Sequence, residues 1–151
     1  MNNRRGEGYV LPCVLVLAMS MVASMLIVFA TSISVVRYTK DNVALTLDRY
    51  VMLHSVEIYN AIKQGSNAID GVDQEAYVAQ LCQFASLERQ GQNLYARGDS
   101  YHMTVPELNS ETDTLQLTVR YTQFVPIRFF GTVMLYARVP VTVTSALTSK
   151  F

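Results

Sequence analysis

From Gly8 to Val36 the chain carries no charged residue. As a helix rising ~1.5 Å per residue, these roughly 27 apolar or small residues reach about 40 Å, more than the ~30 Å hydrocarbon core of a bilayer. A helix of that length inside a soluble protein needs a polar face, and this one has none. The spacing therefore predicts a transmembrane helix over 9–36, preceded by a cytoplasmic tail of residues 1–8, and everything downstream has to be carried on its far end. The lipid bilayer is the first partner the sequence implies.

Arg4 and Arg5 precede the apolar run, as they do in both cleaved signals and retained signal anchors. A cleaved signal usually has an apolar core of about 7–15 residues, roughly half the length found here. The sequence reads as a retained anchor, with Val28-Phe29-Ala30 as the small-residue site at which the alternative, a signal peptidase, would cut. Cys13 precedes most of the apolar stretch, where a lipid-modified cysteine would follow it. Arg37, Lys40 and Arg49 alternate with Asp41 and Asp48 beyond the span, so flanking charge barely discriminates orientation. The short N-terminal tail favours a cytoplasmic N-terminus and an extracytoplasmic C-terminal domain in the cell membrane.

One face of the apolar helix is built from small residues. At ~100° per residue, Ser20, Ala23, Ser24, Ala30, Thr31 and Ser34 fall within about a third of the circumference. Such a stripe lets a neighbouring backbone approach and offers interhelical hydrogen bonds. The plainer alternative is that each hydroxyl bonds back to its own preceding turn. The first reading points to work within an assembly.

Beyond the span, Val43, Leu47, Tyr50, Val51, His54, Ile58 and Ile62 repeat with a helical period. Pro12 is expected in the first turn, where a missing N–H is harmless. The expected result is one helix of more than 50 residues, with an amphipathic stalk over 37–64 stopped by Gly65 and Ser66. An extracytoplasmic domain then occupies 65–151. A second helix is expected over 73–90, capped by Asp73, faced by Tyr77, Leu81, Phe84 and Ala85, and ended by Gly91. After it the period becomes two, with strands expected at 101–106, 115–122 and 133–145. Pro140 assigns the last strand to an edge or a bulge. The fold class is thus α+β, a long N-terminal helix packed on a small antiparallel sheet.

Catalytic and ligand-binding signatures are missing. The twelve basic and twelve acidic residues balance, so the sequence has no basic footprint for nucleic acid. His54 and His102 have no partners at ligand spacing, and there is no metal-ligand cluster, nucleophile elbow or phosphate-cradling loop. Asp70-Gly71-Val72-Asp73 reads as a turn and helix cap, and Arg97-Gly98-Asp99 as a turn rather than an adhesion motif. Cys13 and Cys82 form no framework; both read as small buried hydrophobes, with intermolecular pairing of Cys82 as the other reading. The expectation is a non-enzyme that takes no cofactor or small-molecule substrate.

Arg4-Arg5-Gly6-Glu7 opening the anchor, Leu11-Pro12 early in the apolar run and the stalk after Arg37 resemble the TadE-like pseudopilins of tight-adherence (type IVc) pilus systems. So do Leu117-Thr118-Val119-Arg120-Tyr121, Val125-Pro126-Ile127, Gly131 and the closing alternating strand. The resemblance implies a pilin-like fold and a minor pilin that helps to assemble or prime a pilus beside other pilin-like or platform membrane proteins. It also implies prepilin processing near Gly6, Glu7 and Gly8. Pilin precursors usually carry a glutamate a few residues into the mature apolar segment; this segment has none. The expected function is a structural subunit of a pilus, secretion or conjugation machine. The alternative is a single-pass membrane-anchored sensor or binding domain with an extracytoplasmic partner.

Overall fold

A computed structural model describes residues 7–66, 68–110, 116–129 and 131–146. Gly6 and the tail before it, and Leu115 at the start of the expected middle strand, lie outside these. The fold is α+β: a long N-terminal helix packed with a six-stranded antiparallel sheet.

Helix α1 spans Glu7–Leu53, 47 residues. It begins early enough that Pro12 sits in its second turn, not its first, and removes one ladder donor there. The expected single helix through residue 64 is interrupted at His54, and α2 follows over Ser55–Lys63. The imidazole Nδ1 of His54 lies 3.1 Å from the Tyr50 carbonyl oxygen, which already accepts the His54 backbone N–H at 3.0 Å. The interruption lies in the backbone of His54 itself, at φ −106° and ψ 17°, while the Ile58 N–H still donates to the His54 carbonyl at 3.0 Å. The His54 ring also stacks on Tyr50, with centroids 4.2 Å apart. Gly65, at φ +78°, ends α2, and the Ser66 N–H closes back onto the Ala61 carbonyl.

A 3₁₀ turn, Ala68–Gly71, brings the chain against α2. A Cβ on Gly71 would meet the Glu57 carbonyl oxygen and Ile58 Cα at 2.9 Å, so only glycine allows this approach. Asp73 then caps α3, Gln74–Ala85, by accepting from the N–H groups of Glu75 (2.9 Å) and Ala76 (3.3 Å). α3 stops at Ser86, in a left-handed conformation, and not at Gly91. Residues 88–90 are a strand instead, because pairing with the next segment satisfies their backbone. The buried face of α3 is Tyr77, Val78, Leu81 and Ala85; Phe84, expected among them, is half exposed.

The strands are β1 Glu88–Gln90, β2 Leu94–Arg97, β3 Tyr101–Thr104, β4 Glu107–Ser110, β5 Gln116–Phe129 and β6 Thr132–Ala146. β1, β2 and β4 are additions to the three strands expected, and β3 ends at Thr104 rather than at 106. β5 runs seven residues beyond 122, through Pro126. It forms the middle of the sheet. One of its edges pairs with β3 and then β4; the other pairs with β6 along its whole length, from Gln116 opposite Ala146 to Phe129 opposite Thr132. β6 is an edge strand, and Pro140 lies on it opposite Thr122. The core lies between α1 and the sheet: Val43, Leu47, Tyr50 and Val51 on the helix meet Met103, Leu117, Val119, Tyr121, Val141 and Val143, while Tyr77 and Leu81 close one side.

Candidate membrane anchor and helix-packing face

The first half of α1 extends away from this core. Its side chains from Gly8 to Ile27 are all exposed, and the helix is long and apolar enough to cross a bilayer. Only one stripe near the top of that half is covered: Val28, Ser32, Val35 and Val36 are half-buried and lead into buried Thr39 and Val43. Their helical spacing continues the stalk's core face downward, so the sheet lies against α1 to a level inside the apolar segment.

The small-residue face is clear of that contact. Its centre lies about 120° around the helix from the sheet-facing stripe, counting ~100° per residue. Ser20, Ala23, Ser24, Ala30, Thr31 and Ser34 are all exposed. Each hydroxyl donates to its own preceding turn: Ser20 to Leu17 (2.8 Å), Ser24 to Ser20 (2.9 Å), Thr31 to Ile27 (2.8 Å) and Ser34 to Ala30 (2.9 Å). The polar atoms are satisfied within the helix, which lowers the cost of placing them in hydrocarbon. The stripe is left exposed, with acceptor lone pairs to spare on its hydroxyls. Of the processing region, Glu7 opens the helix and Gly8 has open space where a Cβ would stand.

Above the apolar half, buried polar side chains tie helix to sheet. Gln123, fully buried, donates from Nε2 to the Thr39 hydroxyl at 3.0 Å. Ser145 donates its hydroxyl to the Asp48 carboxylate. The Tyr50 hydroxyl donates to the Asp73 carbonyl at 3.1 Å, joining stalk to the α3 cap. Arg97 stacks over the Tyr38 ring, 5.1 Å from its centroid. The pattern could have revealed that both ends of the first link are buried: Thr39 is four residues before Val43 in the stalk's core phase, and Gln123 shares the inward phase of Leu117, Val119 and Tyr121.

Burial pushes the hydroxyls of Tyr77, Tyr101 and Tyr121 above the ordinary tyrosine range, and the Cys82 thiol above that of a free cysteine. Cys82 is half-buried and Cys13 is exposed on α1, with both thiols free. His102 rests edge-on against Tyr136, centroids 5.7 Å apart. Among the described residues no three of His, Cys, Asp and Glu come together to hold a metal ion. Arg97-Gly98-Asp99 forms a turn closed by the Ser100 N–H on the Arg97 carbonyl, and Arg128 donates to the Asp99 carbonyl at 2.9 Å. A surface groove between α1 and α3 is lined by Leu45, Arg49, Gln80 and Phe84.

No protein-family model, curated protein or solved structure matches the chain.

Proposed function

We propose that this chain is a single-pass membrane protein with a cytoplasmic N-terminus, acting as a pseudopilin-like structural subunit of a pilus, secretion or conjugation machine. One observation carries the reading: α1 continues without a break from its apolar half into the half that bears the sheet. The extracytoplasmic domain is then fixed rigidly to its anchor, as a subunit stacked through its helix requires and as a flexibly tethered receptor does not. The uncovered small-residue stripe supplies the packing surface, and the resemblance to TadE-like pseudopilins supplies the kind of neighbour, other pilin-like or platform helices.

The mature protein should leave the membrane only with detergent and should retain Cys13; an N-terminal sequence beginning at Thr31 would contradict the anchor. Ser24→Leu keeps the helix apolar and inserted but pushes a neighbouring backbone away, at a cost of about 0.6–2 kcal/mol per lost contact. Insertion should be normal while co-purification with partner membrane proteins is lost, and Val22→Leu, well around the wheel, should be silent. The groove beside Leu45 and Phe84 favours a second reading, an anchored binding domain. Full partner association in Ser24→Leu, together with its loss in Leu45→Glu, would put that reading first.

A further inference from the structure

The β5–β6 ribbon outruns the rest of the sheet at one end, and that end is apolar. β3 pairs with β5 only as far as Phe124, whereas β6 stays paired to Phe129. In the free part, Met134 is 67% exposed, Leu135 53% and Tyr136 51%, and Val133 is also exposed. Leu135 pairs with Ile127 and Val133 with Arg128, so Met134 is the extra residue of a β-bulge. Leu135 and Tyr136, being consecutive in a strand, point to opposite faces. Nearer the core the outward positions of the same ribbon include Arg120, Thr122, Thr142 and Thr144, with Pro140, Phe124 and Arg138 between these and the tip. The outward face thus turns apolar toward the tip, and at the tip the apolar side chains stand on both faces. Apolar side chains on both faces suit a medium that surrounds the ribbon.

Two hydrogen bonds give the level of that tip along α1. Leu117, paired with Ser145, lies level with Asp48, and Gln123 lies level with Thr39, so six strand residues descend past nine helix residues. Six further residues, to Phe129, bring the tip level with about residue 30, in agreement with the partial burial of Val28 and Ser32. A hydrocarbon core of ~30 Å takes about 20 residues, which from Tyr9 ends near Val28. The tip therefore stands at the outer edge of the hydrocarbon if α1 spans the membrane.

We propose that the ribbon tip, formed by Ile127, Phe129 and Val133–Tyr136, is a second membrane contact, inserted into the outer leaflet where acyl chains meet headgroups. The inference rests on the reading of α1 as a transmembrane helix. An amphipathic ring belongs at this depth, and Tyr136 supplies one. Arg128 does not enter as a bare charge: it donates to the Asp99 carbonyl and stands 3.8 Å from the Asp99 carboxylate. Arg138, exposed and opposite Phe124, lies higher on the ribbon, where lipid phosphates are. Two contacts on one rigid body, helix and ribbon tip, set the tilt of the domain on the membrane, which a lone helix leaves free to swivel.

The chain has no tryptophan, so a single introduced indole reports its own surroundings. Full-length protein carrying Leu135→Trp, Met134→Trp, Thr144→Trp or Val22→Trp is reconstituted into phosphatidylcholine–phosphatidylglycerol vesicles with or without acyl chains brominated near the headgroup. Leu135→Trp and Met134→Trp should emit to the blue of Thr144→Trp and be quenched several-fold by the brominated lipid, with Thr144→Trp unaffected. Water-like emission from both tip variants while Val22→Trp stays shielded from aqueous iodide would overturn the inserted tip and leave the anchor intact. Blue emission without bromine quenching would overturn it too, because protein and not lipid then covers the tip. Iodide quenching of Val22→Trp would remove the transmembrane reading itself.

Discussion

Gln123 sits fully buried in the seam between α1 and the sheet with only half of its amide satisfied. Nε2 donates to Thr39, but Oε1 has no hydrogen-bond partner among the described residues. Thr39 is better placed, since its hydroxyl also donates to the Val35 carbonyl at 2.9 Å. The two ends of this bond therefore respond differently to removal. Gln123→Leu deletes an orphaned acceptor as well as the donor, and Thr39 keeps its own bond, so stability should be unchanged or slightly higher. Thr39→Val strands a buried amide and should cost about 1–3 kcal/mol. Urea unfolding of the full chain in detergent micelles measures the order; a Gln123→Leu variant weaker than Thr39→Val would show that the amide contributes more than it costs. The positions of both residues could be read from the sequence, because both fall in apolar phases. Their pairing could not, since it joins positions 84 apart in the chain.

At the scale of elements, the helical period of the stalk identifies which face is buried but not whether the helix is continuous. Val51 before the break and Ile58 after it are both buried, Ile58 at 1% exposure, although His54 between them leaves helical geometry. A period of 3.6 survives this break because the bonds from His54 to Tyr50 and from Ile58 to His54 keep their i to i−4 spacing. Ile58 also packs where the 3₁₀ turn presses against α2. Ile58→Asp should cost several kcal/mol, a large share of the roughly 5–15 kcal/mol that holds a domain together, since it puts a carboxylate where the side chain is 1% exposed. Loss of the cooperative thermal transition in circular dichroism is the expected result. An unaltered transition would mean that α2 is a dispensable appendage. β1 and β4 were hidden from any reading of periodicity for the opposite reason. β1 is exposed along its whole length, and β4 buries only Leu108, so neither carries an alternating signal. They are strands because β2 and β5 offer them hydrogen-bonding edges.

For the whole molecule, the buried tyrosines tie folding to alkaline pH. Tyr77, Tyr101 and Tyr121 are all raised by burial, and an unfolded tyrosine titrates near pH ~10. Above that pH the unfolded chain releases protons that the native chain retains, so its binding deficit makes stability fall as pH rises. The stability these groups contribute is complete below pH ~10 and is lost as pH climbs toward their higher native values. Unfolding in detergent should thus appear as one alkaline transition in which phenolate absorbance and loss of circular dichroism coincide. Tyr121→Phe should move that transition to higher pH. Phenolate absorbance that rose fully well before the structure was lost would show that water reaches these hydroxyls in the native state.

What the sequence determined alone is local or one-dimensional. A run without charge from Gly8 to Val36 makes a membrane-length helix whatever follows it. Asp73 ahead of Gln74 and Glu75 caps a helix through atoms two and three residues away. Leu117, Val119 and Tyr121, with Val141 and Val143, expose one face of a strand pair to a core. Tertiary structure decided everything that depends on a distant partner. It stopped α3 at Ser86, so that residues 88–90 could pair with β2, and it carried β5 past Pro126 because β6 continues to pair with it there. It also slid the ribbon down α1 until an apolar tip reached the level of the apolar helix. Periodicity records how often a residue is buried along its own element; it has no term for the offset between two elements, which packing and the bonds of Thr39 and Asp48 alone determine.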